Sequence, residues 1–178
     1  MKATGIVRRI DELGRIVIPK EIRRTLRMKE GEQLEIFTQD DETVVLKKYS
    51  PVKRLSQYAQ AYTNAVNKAT GCLCIITDND HVISISDNSQ KHIMGERLSD
   101  MLIEIIRRRQ QFVSVPYAKS ISISQSMTPS DEAYEVISPI ISDSAVCGCL
   151  ILINEKQDMS LKEYAATGAS FLGNIMQY

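Results

Sequence analysis

Arginine and lysine are interspersed with isoleucine, valine and leucine through residues 5–31, and this mixture constrains the fold more than any other part of the sequence. A solvated tail would lack the apolar residues, and a buried core would lack the cations. The pattern is typical of a folded surface that presents cations at fixed positions, as a DNA-binding face does. Seven basic residues lie between residues 8 and 27: Arg8, Arg9, Arg15, Lys20, Arg23, Arg24 and Arg27.

The same stretch predicts a β-hairpin followed by a short helix. β-Branched residues favour strands over residues 6–10 and 15–18, and residues 11–14 have the composition of a turn. Pro19 cannot occupy a central strand but suits the first turn of a helix. We therefore expect a helix after Pro19 that ends by Gly31.

Three motifs in this region closely resemble the AbrB family of bacterial transition-state regulators. They read Thr-Gly-Ile-Val-Arg-Arg, Asp-Glu-Leu-Gly-Arg-Ile-Val-Ile-Pro and Glu-Ile-Arg-Arg-Thr-Leu. The resemblance implies a dimer that exchanges hairpins between chains, binds double-stranded DNA, and regulates sporulation genes as both activator and repressor. The DNA contacts that it implies are Arg8, Arg15, Arg23 and Arg24, with Arg9 beside them.

Charge is distributed unevenly along a chain whose formal net charge is zero. Residues 1–29 hold nine basic and three acidic side chains, a net charge of +6, so the remaining residues carry −6. A basic end on an acidic body indicates a nucleic-acid contact that is confined to one end.

The sequence also bears on location. Its first residues run directly into the strand pattern rather than into an apolar signal sequence, and no stretch approaches the ~20 apolar residues of a membrane span. We therefore expect a cytoplasmic protein without a membrane partner, whose four cysteines are reduced thiols.

A second hairpin is expected over residues 32–49. Two hairpins and one short helix in about 50 residues are near the size limit for an isolated core, which agrees with a dimer. Ser50 and Pro51 favour the start of a helix and Gly71 favours its end, so a helix is predicted over residues 51–70. The predicted division is a DNA-binding domain at residues 1–50, a connecting helix at 51–70 and a sensor or oligomerisation domain at 71–178.

The C-terminal part predicts hairpins that alternate with helices. Ser160 and Glu163 have the spacing of a capping box. The serines of residues 120–124 alternate as on the exposed face of a strand, although they could instead line a ligand pocket. The predicted elements are a hairpin over residues 72–86, a helix over 97–113, a strand over 120–124, a hairpin over 134–154 and a helix over 160–178.

This order of elements resembles that of a GAF domain, a module that senses small molecules. The predicted fold class is therefore α+β, with an AbrB-type swapped-hairpin β domain joined by a helix to a GAF-like antiparallel sheet with flanking helices. The resemblance implies that a small-molecule effector could bind the C-terminal domain.

Cysteines form two C-x-C pairs, Cys72 with Cys74 and Cys147 with Cys149. Alternate residues of a strand face the same way, so each pair could offer two thiolates to zinc. Buried small residues are the favoured interpretation, because zinc sites usually place C-x₂₋₄-C on a turn. We expect no metal and no cofactor.

Two helices are candidates for a second contact between chains. The last helix is rich in alanine and glycine, which allow close helix approach. We predict that residues 51–70 and 160–178 pack together and join two dimers into a homotetramer, with the alternative that they only cover the sheet of their own domain.

Other functions remain as alternatives. Arg107, Arg108 and Arg109 could be a second DNA contact, but cations that oppose the dipole at a helix end are the favoured interpretation. His81 and His92 are expected at the surface, and no nucleophile–base set or phosphate loop indicates an enzyme. An antitoxin that neutralises a protein toxin shares the N-terminal fold, but its disordered tail would lack the patterned C-terminal half.

Overall fold

The computed structural model describes residues 4–39, 42–50, 52, 56–114 and 117–176. The chain divides into two compact units, Met1–Tyr49 and Ser50–Tyr178. Among the described residues, no helix combines the length and apolarity needed to cross a membrane.

The N-terminal unit contains one short helix and one two-stranded sheet. Helix α1 spans Lys20–Thr25, directly after Pro19. Strands β1 (Leu34–Gln39) and β2 (Thr43–Lys48) pair antiparallel and confirm the second predicted hairpin. Its predicted turn begins at residues 40 and 41, which lie outside the described residues.

The first predicted hairpin is present only as its turn. The Asp11 amide donates to the Arg15 carbonyl at 3.0 Å, but residues 6–10 and 15–18 belong to no strand among those described. A strand needs a hydrogen-bonding neighbour along its edge, and the described chain supplies none to these segments.

The same unit lacks a core of its own. Pro19 is the one buried residue among its described residues. Large apolar side chains that would form a core are instead exposed, at Ile6, Val7, Ile10, Leu13, Ile16, Val17, Leu26, Ile36, Phe37 and Val44.

A five-stranded antiparallel sheet organises the C-terminal unit, in the order β4-β3-β7-β6-β5. The long central pair β6 and β7 is joined by a turn in which Asp143 and Ser144 both have positive φ. Strands β3 and β4 also pair antiparallel, so both predicted hairpins of this unit are confirmed. The strands are β3 (Leu73–Asp78), β4 (Val82–Ile85), β5 (Phe112–Ser114), β6 (Tyr134–Ser142) and β7 (Ala145–Asn154).

Helices cover both faces of this sheet. Helix α2 (Ser56–Thr70) and helix α4 (Leu161–Ile175) cover one face, with Tyr134, Leu150 and Leu152 beneath them. On the other face, a 3₁₀ helix (Asn88–Ile93), helix α3 (Asp100–Arg107) and the loop before β6 enclose a second apolar cluster. Strands buried on both faces explain why their sequences are almost continuously apolar.

Helices α2 and α4 touch each other within the chain. The ring of Tyr62 stacks on Phe171 with 6.1 Å between the ring centroids. The Tyr62 hydroxyl occupies the space that a Cβ at residue 168 would need, so Gly168 permits the contact. The end of α2 is as predicted, because Gly71 follows Thr70 with φ +72°.

The helix predicted over residues 97–113 is partly wrong. Helix α3 ends at Arg107, and Phe112 pairs with Ile137 in the sheet. Arg109 adopts φ +58°, a left-handed conformation that ends the helix and turns the chain toward β5. Sheet pairing thereby overrides the apolar stripe that suggested a longer helix.

The strand predicted over residues 120–124 is also wrong. These residues form a loop whose only strand-like pairing, among those described, is an isolated bridge between Leu98 and Ser124. Ser120 is 5% exposed and Ser124 is 1% exposed, so the predicted exposed serine face does not exist. The loop is held instead by local bonds such as that from the Ile123 amide to the Met127 carbonyl at 2.9 Å.

The capping box at Ser160 does not form, although the predicted final helix does. The Ser160 hydroxyl donates to Asp158 at 2.7 Å and makes no cap to the helix backbone. Asp158 also accepts the Ser160 amide, and the pKa of its carboxyl is lowered by these two bonds. An aspartate two residues upstream therefore competes successfully for the hydroxyl.

All four cysteines are free and buried, as the favoured interpretation predicted. The premise that Cys147 and Cys149 face the same way is wrong, because they belong to clusters on opposite faces of the sheet. A β-bulge in the β6–β7 pairing leaves Cys147 without an opposite residue and reverses the alternation. Burial raises the pKa of the Cys149 thiol to about 12, which disfavours the thiolate that zinc would require.

A buried carboxyl on β6 makes the C-terminal unit sensitive to pH. Glu135 is 0% exposed, and both its oxygens accept from the Ile121 amide, at 3.2 and 3.3 Å. Burial raises the pKa of Glu135 to about 7; the Ile121 bond opposes the rise and the negative charge of Asp131 adds to it. The folded state therefore binds a proton that the unfolded chain, with a carboxyl pKa near 4.5, has already released.

The stability of this unit should therefore fall as the pH rises from 5 to 8. Because the pKa of Glu135 is higher in the folded protein than in the unfolded chain, protonation of Glu135 stabilises the fold. This contribution is lost as the pH rises from the unfolded pKa to the folded pKa. Glu135→Gln should remove this dependence and raise the free energy of unfolding at pH 8 by about 1–3 kcal/mol. Urea unfolding from pH 5 to 8 measures it, with the exposed Glu132→Gln as the control. Parallel pH profiles for wild type and Glu135→Gln would contradict the assignment.

Candidate nucleic-acid interface

The turn at residues 11–14 fixes the position of Arg15. One oxygen of Asp11 accepts the amides of Leu13 at 3.0 Å and Arg15 at 2.8 Å. The other oxygen accepts the Arg15 guanidinium Nε at 2.7 Å. Gly14 takes φ +74° and donates its amide to the Asp11 carbonyl at 2.9 Å, which closes the loop.

This arrangement holds a charged pair at the tip of the turn. The bonds from the Arg15 amide and then from its guanidinium lower the pKa of Asp11, so the carboxylate stays ionised. The Arg15 side chain remains 72% exposed. Because only its Nε is bonded to Asp11, the terminal nitrogens of the fork stay available for a ligand.

Helix α1 carries the second group of cations. Arg23 and Arg24 occupy its last turn, where cations oppose the partial negative charge of the helix end. The helix closes with the Met28 amide donating to the Arg23 carbonyl at 2.7 Å, while Arg27 adopts φ +53°. Both arginine side chains are exposed.

Strand β2 fastens the end of this helix to the sheet. The Lys48 ammonium donates to the Arg27 carbonyl at 3.1 Å and lies 3.4 Å from a carboxylate oxygen of Glu32. Glu32 in turn accepts the Lys29 amide at 2.9 Å. A lysine of the hairpin thus positions the helix that carries Arg23 and Arg24.

The five arginines predicted as DNA contacts lie in three places of the same unit, and all are exposed. Arg8 and Arg9 lie on the extended segment before the turn, and the Arg8 guanidinium donates to its neighbour's carbonyl at Val7, at 3.0 Å. Among the described residues, no carboxylate lies within ion-pair distance of Arg9, Arg23 or Arg24.

Sequence reasoning missed the positioning roles of Asp11 and Lys48. The signal for Asp11 was present, since an aspartate followed by glycine and arginine within four residues is typical of a turn closed by its own carboxylate. The role of Lys48 depends on a contact 21 residues away in sequence, which no local pattern contains.

Arg107, Arg108 and Arg109 lie at the end of α3 in the other unit, as the favoured interpretation predicted. A guanidinium nitrogen of Arg107 lies 3.7 Å from a carboxylate oxygen of Glu104, and the Arg109 guanidinium donates to the Ser144 carbonyl at 3.0 Å. Within the described part of the chain, no three His, Cys, Asp or Glu side chains come together as a metal site.

Known proteins are similar to the N-terminal unit. Residues 7–54 match a family described as antidote-toxin recognition MazE, bacterial antitoxin. The transition state regulatory protein AbrB of Bacillus subtilis (strain 168) is 63% identical over 51 residues, which are 29% of this chain and 52% of that protein. The N-terminal unit is thus an AbrB-type domain.

The C-terminal unit has the GAF fold. The crystal structure of the A. aeolicus nlh2 GAF domain in an inactive state matches with a TM-score of 0.50 and 13% identity, over 74% of this chain and 85% of that one. At this identity the likeness concerns the fold alone.

One match covers both units. Stage V sporulation protein T of Bacillus subtilis (strain 168) is 40% identical over 179 residues, 99% of this chain and 99% of that protein. Residues 54–177 match the family model described as stage V sporulation protein T C-terminal, transcription factor. The chain therefore belongs to the stage V sporulation protein T family.

Proposed function

We propose that the chain is a cytoplasmic transcription regulator that binds double-stranded DNA and activates or represses sporulation genes, without being an enzyme. The observation that carries this proposal is the N-terminal unit, which exposes five arginines in three places on a scaffold held by Asp11 and Lys48. The names of the related proteins, a transition state regulator and a sporulation protein, support the same role.

Arginine suits this task chemically. Its planar fork donates two parallel hydrogen bonds to a phosphate or to the edge of a guanine. A site poor in asparagine and glutamine favours reading of DNA shape and phosphate positions over adenine edges. Residues 4–31 contain neither amide side chain, which agrees with that mode.

The DNA-binding form is a dimer of the N-terminal unit. Ten large apolar side chains in one small unit are between 37% and 84% exposed, and burying a fully exposed one stabilises a structure by about 1.5–3 kcal/mol. A second chain that supplies the missing strand partners for residues 6–10 and 15–18 would bury much of this surface. A two-fold dimer also presents two copies of the arginine set, as two half-sites of DNA require.

Helices α2 and α4 are the proposed contact between two such dimers. They cover their own sheet, yet they keep Tyr58 at 61%, Tyr164 at 51% and Phe171 at 51% exposed. Exposed aromatic residues on neighbouring helices favour a further interface between chains. The GAF fold of this unit favours a small-molecule effector whose binding changes DNA affinity.

DNA affinity should depend steeply on salt. If a dimer neutralises about eight phosphates, the logarithm of affinity falls with the logarithm of salt at a slope near −7. Replacing Arg9, Arg23 and Arg24 by alanine removes six of these contacts and should flatten the slope to about −2. Fluorescence anisotropy on a duplex between low and moderate salt measures both values.

The matched control replaces Arg107, Arg108 and Arg109, an equal loss of charge in the other unit. Its slope should stay close to that of the wild type. An equal flattening in the control and the N-terminal variant would refute a contact confined to the N-terminal unit, and a wild-type slope shallower than about −2 would refute the electrostatic mode.

The two proposed interfaces predict distinct masses. Native mass spectrometry of the full chain should give a tetramer. Val17→Asp charges the N-terminal apolar surface and should leave dimers held by the helices, whereas Tyr164→Asp should leave dimers held by the N-terminal unit. Both substitutions together should give monomers. A tetramer in the Tyr164→Asp variant would show that α4 is not an interface.

The antitoxin function is a second candidate because residues 7–54 match a family described as a bacterial antitoxin. Antitoxin tails that block a toxin are disordered when free. The C-terminal unit instead has a two-sided core, so residues 50–178 should resist limited proteolysis of the full chain. Rapid digestion of this segment would favour the antitoxin.

A further inference from the structure

A large cavity opens at one end of the C-terminal sheet. It lies where β3 and β6 begin and where β4 and β7 end, and its volume is about 1020 Å³. The end of α2, the start of the 3₁₀ helix and the loop over residues 126–130 complete its wall. Sites for small molecules in proteins commonly have volumes of several hundred Å³.

The lining has an apolar floor and a polar rim. Leu73, Met127 and Ile153 form apolar parts of the floor, and all three also contact or belong to the cluster beneath α3. The rim carries amides, hydroxyls and two carboxyls, among them Asn67, Ser86, Asp87, Asn154 and Glu155.

The charge of this lining is entirely negative. Among the described residues, Asp87 and Glu155 line the cavity, and no lysine, arginine or histidine does. Lys68, Lys91 and Lys156 are neighbours of lining residues in sequence, but none of the three lines the cavity. Among the described residues, no ion pair involves either carboxylate. Gly71, at the partially negative end of α2, lines it as well.

Hydrogen bonds favour the ionised form of Asp87. It caps the 3₁₀ helix, accepting the Ser89 amide at 2.8 Å and the Ser89 hydroxyl at 2.7 Å. The hydroxyl bond first, and then the amide bond, lower its pKa. Each carboxylate oxygen keeps a further lone pair for a donor on a ligand.

We propose that this cavity binds an organic cation, an amine that carries its ammonium groups to Asp87 and Glu155 and lays its aliphatic part on Leu73, Met127 and Ile153. The described lining offers an anion no cationic side chain, and a metal ion would make no contact with the apolar floor. This inference rests on the effector part of the proposed function, because it names the class of molecule that the GAF-like unit would sense.

Three compounds of equal chain length test the chemistry. Hexamethylenediamine carries two ammonium groups, hexanediol is neutral, and adipate carries two carboxylates. Isothermal titration of the full chain without DNA should show binding of the diamine alone. Equal binding of the diol would mean that the charge is irrelevant, and binding of adipate would overturn the proposal.

The residues are tested by neutral isosteres. Asp87→Asn with Glu155→Gln keeps the cap and the volume but removes both charges, and should weaken diamine binding by about fivefold or more. Glu104→Gln with Glu163→Gln removes two exposed carboxylates on α3 and α4 and should change nothing. Equal weakening in both double variants would indicate only a general attraction to an acidic surface.

The effector role is tested separately. At constant ionic strength, the diamine should shift DNA affinity in the wild type more than in Asp87→Asn with Glu155→Gln, since any direct effect of the diamine on DNA is common to both. Diamine binding without such a shift would keep the site and reject its effector role. Loss of diamine binding with a salt slope near −7 would reject the site and leave the DNA-binding function intact.

Discussion

Apolar side chains that stay exposed in the described part of the N-terminal unit are the constraint on which this unit depends. The described part of this unit buries only Pro19, while Val7, Leu13 and Val17 are each more than 70% exposed. A unit of 49 residues in this state has little free energy with which to order itself. Polar bonds hold the Asp11 turn and the end of α1 instead. Arginine positions and chain association are thus linked, because the same segments carry both.

In the C-terminal unit, by contrast, the apolar side chains are buried within the chain. Its sheet is buried on both faces, and the central pair β6 and β7 supplies residues to both apolar clusters. Close approach is part of this packing, since a Cβ at Gly148 would overlap the Thr77 carbonyl on the neighbouring strand. The acidic cavity lies beyond this core, at the ends of the strands.

Much of this fold could be predicted from the sequence where the pattern is local and periodic. The hairpins at β1–β2, β3–β4 and β6–β7 and the helices α2 and α4 follow from alternation, helical spacing and turn residues. Phe112 was misassigned because its sheet partner Ile137 is distant in the chain. Ser120 and Ser124 were misassigned because an alternating polar pattern does not distinguish an exposed strand from a buried loop.

The site could be predicted in part for the same reason. Arginines are visible as residue types, and the resemblance to the AbrB family selects Arg8, Arg9, Arg15, Arg23 and Arg24 among them as predicted contacts. What holds them is not visible in that way, because Lys48 reaches the end of α1 across a hairpin. The acidic cavity could not be predicted from the sequence, because its carboxylates Asp87 and Glu155 are 68 residues apart. Both line the same cavity only because β4 and β7 end on the same side of the sheet. Antiparallel pairing of β3 with both strands places those two ends together, and so the order of the strands determines where such a site can form.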